Sequence, residues 1–260
     1  MNMKKISLIL LLLFVSALSC SDKLSCGGKN EDWAEKEAKL TENTSLNQQI
    51  ADLKESLKGA GTDSEKAEIY TKIALANAEK GNVVASMKSA EEAVKFQPNQ
   101  YIARYSLGKA YIGMSRYDDA VAELNKSIEL KDNFAPAYFE LGNAYYKKFD
   151  LKSARDNYLK AIKYDSKQVG VDGYNVIDVY NNLGAIQIDL GALGEAEKNL
   201  KTCIRMDPAY AAAYKNLGIL YDTKMNNAAK AVENYNTYLR LRPNCPERNL
   251  VKMWISALRG

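Results

Sequence analysis

The stretch "AYFELGNAYYKKFDLKSARDNYLKAIKYD", residues 137–165, contains a pattern that recurs along most of the chain. In several places a leucine is followed at once by a glycine, and small or aromatic residues follow farther along. The repeated positions are Leu107 and Gly108, Leu141 and Gly142, Leu183 and Gly184, and Leu217 and Gly218, followed by Ala120, Ala154, Ala196 and Ala231, and then by Ser127, Ala161, Cys203 and Tyr238. Self-similarity at a fixed period indicates a repeat protein rather than a single globular core.

Gly142 stands inside a segment that otherwise favours a helix. Tyr138, Leu141, Gly142 and Tyr145 are spaced at i, i+3, i+4 and i+7, which places them on one helix face. Glycine inside a helix costs about 1 kcal/mol relative to alanine, so its recurrence needs a packing reason. We predict that Gly142 lies where the two helices of one unit approach most closely, with Ala154 facing it from the second helix.

These repeated positions resemble the tetratricopeptide repeat, a unit of about 34 residues that forms two antiparallel helices. The resemblance implies an all-α protein, a right-handed α-solenoid of about five helix pairs with capping helices. Pro98, Pro208 and Pro243 mark the ends of second helices, because proline cannot continue a helix. The repeat region is residues 62–245, and its units are framed at 67–100, 101–134, 135–168, 177–210 and 211–244.

Two local features refine these boundaries. Thr62 followed by Glu65 is typical of a capping box and predicts the start of the first unit. The third unit has Ser166 where other units have proline, and extra residues with Gly170 and Gly173 follow, which favours a loop. That loop is either a neutral extension of the array or a segment that contacts a partner.

The sequence predicts a capping helix at each end of the array. Leu46, Ile50, Leu53 and Leu57 recur at helical spacing without the repeat pattern, so residues 44–61 are predicted to form an N-terminal capping helix. An amphipathic helix lying on a membrane is the alternative, although its polar face lacks the lysine-rich border of such helices. Residues 246–260 are predicted to form a C-terminal capping helix, with Trp254 packed in the core against the last repeat.

Composition argues against most side-chain catalysis. The 260-residue chain contains no histidine, which removes serine–histidine, cysteine–histidine and histidine–metal arrangements. Its formal net charge is +4 and no basic block is present, so the sequence carries no electrostatic footprint for nucleic acid. We therefore expect a protein that is not an enzyme and that has neither a cofactor nor a metal.

The first residues have the layout of a secretory signal peptide, assigned to residues 1–19. Lys4 and Lys5 precede a continuous apolar run that ends in small residues before Cys20. This end resembles the site at which bacterial lipoproteins are cut and lipidated on the cysteine, which implies a lipid on Cys20. Because Ala17 replaces the leucine that such sites prefer, cleavage by ordinary signal peptidase before an unmodified Cys20 stays open.

The segment after Cys20 is predicted to connect the lipid to the folded body. Residues 20–43 begin with a polar, glycine-containing stretch that suits a flexible tether. Cys26 is a weaker lipidation candidate, since charged residues interrupt the apolar run before it. The protein is expected to be exported and lipid-anchored to a bacterial cell envelope membrane, facing the periplasm or the cell surface.

Two cysteines lie in the repeat region. Cys203 falls where the repeat places a small buried residue, and Cys245 ends the last unit. Export to an oxidising compartment leaves a disulfide between them open, while two unpaired thiols are the simpler interpretation.

The family resemblance also implies where a partner would bind. In tetratricopeptide proteins the concave face is lined by the second, fifth, sixth, ninth and twelfth positions of each unit. Here those positions carry aromatic, lysine and asparagine side chains that the packing pattern does not require. The candidate partner-binding residues are Tyr105, Lys109, Phe139, Asn143, Tyr146, Asn181, Asn182, Lys215 and Asn216.

Specific roles are predicted within this set. Phe139 and Tyr146 lie seven residues apart on one helix face, so both are expected to be exposed and to anchor an apolar side chain. Asn143, Asn182 and Asn216 would hold the backbone of an extended chain, because an amide side chain can donate and accept hydrogen bonds at once. The alternative is that these asparagines are merely solvated.

Two functions follow. The first is a lipid-anchored scaffold that binds a segment of another protein in its concave groove, with assembly of an envelope complex as the expected setting. The second is a solute-handling component that holds a small ligand for a transport system. An open groove favours the first function, and a protected pocket with convergent charges favours the second.

Overall fold

The computed structural model of the protein describes residues 33–165 and 174–260. The predicted leader, Cys20 and the extra loop after the third unit lie outside these ranges. The described residues form twelve α-helices and no β-strand, so the all-α prediction is confirmed. The helices are α1 (Trp33–Gly59), α2 (Asp63–Glu79), α3 (Val83–Phe96), α4 (Tyr101–Gly113), α5 (Tyr117–Leu130), α6 (Ala135–Lys147), α7 (Leu151–Lys163), α8 (Val176–Asp189), α9 (Leu193–Met206), α10 (Ala211–Thr223), α11 (Ala228–Leu241) and α12 (Arg248–Arg259).

Helices α2 to α11 form five consecutive pairs, which are called units one to five. The two helices of each pair pack against each other, and each second helix also packs against the first helix of the next unit. This pattern of contacts between neighbours alone is that of a solenoid. Among the described residues, no helix is both long and apolar enough to cross a membrane.

Local sequence explains where the helices begin. Thr62 accepts a hydrogen bond from the backbone of Glu65, whose side chain bonds back to the Thr62 backbone, so the predicted capping box is confirmed. Asp150 caps α7 by accepting from the Ser153 backbone N–H at 3.0 Å. Asn227 does the same for α11 through Lys230 at 3.1 Å.

The interior glycines lie where the two helices of one unit meet. A Cβ atom added at Gly142 would lie 2.4 Å from Cε1 of Tyr158, far inside van der Waals contact. The predicted close approach is therefore confirmed, but the side chain that faces Gly142 is Tyr158 rather than Ala154. Ala154 is fully buried in the same interface. At Gly108 the neighbouring side chain is Leu124, at 2.6 Å.

Capping helices cover both ends of the array. Helix α1 begins at Trp33 rather than near residue 44, and it buries Leu46 and Ile50 against Ile73 and Ala76. Burial of this apolar face within the protein argues against the membrane-lying alternative. At the other end α12 packs on α11, and Trp254 is 5% exposed with its ring 5.4 Å from that of Tyr235. Trp254 is therefore a core residue, as predicted.

Both cysteines of the repeat region are buried, and neither is in a disulfide. The disulfide that the sequence left open between Cys203 and Cys245 is therefore not formed. The Cys203 thiol lies 3.4 Å from the carbonyl oxygen of Ile177, and burial raises its pKa to about 12. A thiol with so high a pKa is a packing group rather than a reactive nucleophile.

Candidate functional site

The first helices of the units line one side of the array. Helices α2 and α4, α4 and α6, and α8 and α10 contact one another, whereas no comparable contact joins second helices of neighbouring units in the described chain. The side on which neighbouring units come closer is the inner side of the curve. The concave groove is therefore formed by the first helices, and it carries the side chains that they do not use for packing.

Two predicted groove anchors are not accessible. Tyr105 is only 1% exposed and Phe139 only 7% exposed, so the expectation that Phe139 stands free in the groove is wrong. Residues outside the first helices cover both rings. Phe134, which precedes α6, packs edge-on against Tyr105 with ring centres 5.2 Å apart. Tyr174, which precedes α8, packs edge-on against Phe139 at 5.9 Å.

Burial has an electrostatic consequence at Tyr105. Loss of solvent raises the pKa of its hydroxyl well above the ordinary value, and the nearby negative charge of Glu140 raises it further. Lys109 remains partly exposed, with its ammonium 6.0 Å from the centre of the Tyr105 ring. Tyr105 is thus a neutral support beneath Lys109 rather than a contact residue of its own.

The asparagines form a ladder, but its bonds are internal. Asn216 donates to Asn181 at 2.9 Å, and Asn181 donates to Asn182 at 3.3 Å. Asn182 in turn donates to the amide oxygen of Asn143 at 3.3 Å, which also accepts from the Tyr158 hydroxyl at 2.7 Å. The ladder therefore joins the first helices of units three, four and five.

Burial divides the ladder into two kinds of residue. Asn181 and Asn216 are 3% and 4% exposed, so the prediction that Asn216 holds a partner's backbone is wrong. Asn143 and Asn182 are partly exposed. An amide side chain offers two donor hydrogens and two acceptor lone pairs. Asn143 also donates to Glu140 at 3.0 Å, so it keeps one N–H, whereas Asn182 keeps one N–H and one acceptor lone pair.

Lys215 is occupied by an internal carboxylate. Its side chain is 10% exposed, and its ammonium lies 3.2 Å from Oε1 of Glu247. The Tyr238 hydroxyl donates to the same oxygen at 2.5 Å. Burial by itself would raise the pKa of Glu247, yet the Tyr238 hydrogen bond and the Lys215 charge lower it overall. Lys215 therefore holds the start of α12 and is not available to a partner, contrary to the prediction.

The accessible part of the groove is smaller than the sequence suggested. Of the predicted residues, Lys109, Asn143, Tyr146 and Asn182 keep partial exposure. They share the inner surface with partly exposed apolar side chains of the other units: Leu75, Ile112 and Ile219. Asn182 occupies the sixth position of unit four, and the others occupy ninth or twelfth positions. Together these residues form a strip along the five units.

Sequence reasoning did not select two acidic residues that lie at or near the ends of first helices, in units four and five. Asp222 is the twelfth residue of unit five, so the family's positional rule covers it, but it was not selected. Asp189 is the next position along in unit four and has no counterpart in that rule. Burial raises the pKa of both carboxyl groups above the ordinary value, and Lys224 partly offsets this at Asp189.

The described residues include no metal-binding cluster, and an open depression among them lacks convergent charges. Within them no group of three or more cysteine, aspartate or glutamate side chains is placed to hold a metal ion. An open depression lies on a single face of α1 and contains one charged residue, so it lacks convergent charges. It is lined by Ser45, Gln48, Gln49, Asp52, Leu53 and Ser56.

The stacked helix pairs and the open groove define the class as a helical-repeat scaffold for protein–protein interaction. Residues 133–209 match the family model described as tetratricopeptide repeat, and residues 114–148 match one described as TPR repeat. Residues 114–209 of this chain therefore carry tetratricopeptide repeats.

The sequence matches parts of several named proteins. The chain is 27% identical over 205 residues to Hsp70-Hsp90 organizing protein 1 of Glycine max, covering 75% of this chain and 33% of that protein. It is 26% identical over 146 residues to type IV pilus assembly protein PilF of Pseudomonas aeruginosa. This match covers 55% of this chain and 54% of PilF. The chain thus spans about a third of the first relative and about half of the second.

Solved structures agree on the fold. The crystal structure of PilW, described as a widely conserved type IV pilus biogenesis factor, superposes with a TM-score of 0.66 at 17% identity. The match covers 75% of this chain and 86% of PilW. At this identity the likeness concerns the solenoid alone.

Proposed function

We propose that this protein is a lipid-anchored, exported scaffold that binds an extended segment of another protein in its concave groove. The observation that carries the proposal is the partly exposed strip of Ile112, Tyr146 and Ile219, with Asn143 and Asn182 between them. Apolar side chains would receive alternate side chains of the segment, and the amides would bond to its backbone. The groove requires no catalytic group for this role.

A role in assembling an envelope complex is part of the proposal. The basic and apolar leader before Cys20 supports export, and the cysteine supports attachment to a membrane. One relative is named as a type IV pilus assembly protein, which supports an envelope setting. The protein would then hold its partner close to the membrane surface, facing the periplasm or the cell surface.

Anchoring is tested by changing the cysteine. In cells fed a fatty-acid analogue, the native chain should be labelled, and Cys20→Ala should lose the label and leave the membrane fraction. Cys26→Ala is the matched control and should keep the label. Undiminished label in Cys20→Ala would refute the lipid assignment while leaving the groove unaffected.

Groove binding is tested by site-specific photo-crosslinking in the native cell. A photo-reactive residue at Tyr146 should form adducts with a partner protein. The control position is Leu159, which is 47% exposed on the second helix of unit three, away from the groove. Adducts from position 159 and none from position 146 would place the interaction surface elsewhere and contradict the proposal.

A further inference from the structure

The sixth residue of each unit lies on its first helix, and in every unit but the third its polar group is taken up within the chain. Lys72 is in an ion pair, and Ser106 donates to a backbone carbonyl oxygen. Asn182 and Asn216 belong to the asparagine ladder, which joins one first helix to the next. The sixth residue of unit three is Glu140, and its environment differs from that of the other four.

Glu140 is a buried carboxylate without a cation. It is 7% exposed, and it forms no ion pair with any described residue. Its one hydrogen bond comes from Nδ2 of Asn143 to Oε2, at 3.0 Å. Burying a charge is costly unless the charge is paired and fully hydrogen-bonded. A single neutral donor therefore leaves Oε1 and much of the negative charge of Glu140 uncompensated.

The unbonded oxygen of Glu140 opens onto the floor of the groove. In the described chain, the one side-chain polar atom that is both sealed from solvent and without a hydrogen-bond partner is Oε1 of Gln97. Oε1 of Glu140 also lacks a partner, so it is not sealed. Glu140 lies one turn before Asn143, which is partly exposed on the inner side of α6. The carboxylate is therefore reached from the groove, at a greater depth than Asn143.

Lys109 supplies the opposite charge from the neighbouring helix α4. Its ammonium lies 6.0 Å from the centre of the Tyr105 ring, and it forms neither an ion pair nor a hydrogen bond with the described residues. Burial and, next, the charge of Glu140 raise the pKa of the Tyr105 hydroxyl, so Glu140 also lies near that residue. An uncommitted donor and an uncommitted acceptor thus stand on either side of the contact between α4 and α6, without contacting each other.

We infer that the carboxamide of a glutamine or asparagine in the bound segment enters between α4 and α6, where it donates to Glu140 and accepts from Lys109. A carboxamide is a donor and an acceptor at once. A cationic side chain would be repelled by Lys109, and a carboxylate would be repelled by Glu140. The backbone of the segment would stay at the level of Asn143, because only the end of a side chain reaches Glu140. This inference rests on the proposed function, since it requires that the groove binds an extended segment.

The experiment uses an array of ten-residue synthetic peptides of varied composition, probed with the purified full chain. We expect the peptides that bind to share a glutamine or asparagine at one position. In the tightest binder, replacement of that residue by leucine, lysine or glutamate should weaken binding about tenfold or more, because the hydrogen bonds to two charged groups are lost. Fluorescence anisotropy of the labelled peptides measures the affinities.

Two variants should change the preference in opposite directions. Glu140→Gln should weaken binding of the glutamine peptide and improve that of the glutamate peptide, since Lys109 then acts without an opposing charge. Lys109→Met should improve binding of the lysine peptide. Improved binding cannot result from a loss of folding. Glu129→Gln is the matched control, because it removes the same charge from an exposed position of α5 and should keep the native preference. Glu140→Gln should also keep or raise the melting temperature, since it removes a buried charge that has no ion pair.

The outcomes distinguish this inference from the proposed function. Peptide binding that Tyr146→Ala abolishes but that shows no preference for carboxamides would overturn the inference and leave groove binding intact. A native preference in both Glu140→Gln and Lys109→Met would also overturn it, because another surface would then recognise the carboxamide. A lowered melting temperature of Glu140→Gln would make the carboxylate a structural group and overturn it as well. Failure of the native chain to bind any peptide would overturn the inference and the proposed function together.

Discussion

The turn inside each unit requires one residue with a left-handed backbone, whichever residue the sequence supplies. Gly81 and Gly191 meet this need with φ angles of 79° and 78°, and Asn226 has a φ of 49°. Ser115 and Phe149 adopt the same conformation with φ angles of 60° and 61°. A bulky residue is strained in this region, because its Cβ approaches the backbone too closely. The array therefore carries avoidable strain at Phe149.

We expect Phe149→Gly to stabilise the protein by about 1 kcal/mol. The side chain is 81% exposed, so its removal loses little packing, while glycine relieves the strain at positive φ. The midpoint of urea denaturation is the measurement. Phe149→Ala is the matched control, because alanine removes the ring but keeps the strain, and it should change stability little. Equal effects of the two variants would show that backbone strain is not the cause.

The glycines between the two helices of a unit differ in what a side chain would meet. At Gly142 the obstacle is the ring of Tyr158, which its hydroxyl bond to Asn143 holds in place. At Gly108 the obstacles are Cγ of the buried Leu124, at 2.6 Å, and the backbone carbonyl oxygen of Ala120, at 3.2 Å. Both positions are therefore closed to a side chain.

Gly142→Ala and Gly108→Ala should each destabilise the protein by on the order of 2 kcal/mol through overpacking. Gly194 is the control, since it lies in α9 with nothing within 4 Å of an added Cβ atom. Gly194→Ala should be neutral or stabilising, because alanine favours a helix more than glycine does. Thermal melting of the three variants measures the order, and an unchanged melting temperature for Gly142→Ala would contradict the packing account.

Among the elements, the helices were predictable and the exposure of their inner side chains was not. The recurring leucine, glycine and alanine positions set the period and hence the helix pairs. Phe139 is buried partly because Tyr174 packs on it, and Tyr174 lies in the extra segment between units three and four, at no repeat position. Likewise Lys215 looked free because its partner Glu247 precedes the capping helix. The repeat pattern cannot predict contacts that its residues make with residues outside the repeat units.

The contact between unit five and helix α12 is electrostatic as well as apolar. Glu247 is bound by Lys215 from α10 and by Tyr238 from α11, so one carboxylate links both helices of unit five to the residue before α12. The pKa of Glu247 is lowered in the folded chain, which means that folding favours its charged form. Its contribution to stability is therefore present at neutral pH and is lost as pH falls below the ordinary glutamate value of 4.5.

We expect acidification through this range to loosen α12 before the rest of the array. Fluorescence of Trp254, followed in a Trp33→Phe background, should shift toward that of an exposed indole. At neutral pH Glu247→Gln should already destabilise the docking of α12 by about 2 kcal/mol, because it removes the charged partner of Lys215. That variant should then show no further shift on acidification, and a shift as large as in the native chain would rule out Glu247 as the titrating group.

On the scale of the whole molecule, the sequence predicted an array closed by caps because apolar periodicity continues past both ends of the repeat. It did not predict that Lys215 is withdrawn from the groove, because its partner Glu247 lies outside the repeat units, just before α12. Pairing between a unit and its cap is a property of the assembled solenoid rather than of any one unit.

The contacts between neighbours also predict how the molecule opens. A solenoid in which each unit packs only on the next should transmit damage locally, since stability is a sum of unit and interface contributions. Trp254→Ala removes a buried aromatic from the contact of α12 with Tyr235, at a cost of about 3 kcal/mol or more. We expect amide hydrogen exchange to become faster in α10 and α11 and to stay unchanged in α2 and α3.

Ile50→Ala provides the reciprocal variant at the other end. It removes a buried side chain of α1 from its contact with Ile73, so exchange should become faster in α2 and α3 and remain native in α10 and α11. Units three and four, joined to unit five by the asparagine ladder, should respond to Trp254→Ala more than units one and two do. Uniform acceleration along the whole chain in either variant would mean that the array unfolds as one cooperative body, because loss of one interface would then be shared by every unit.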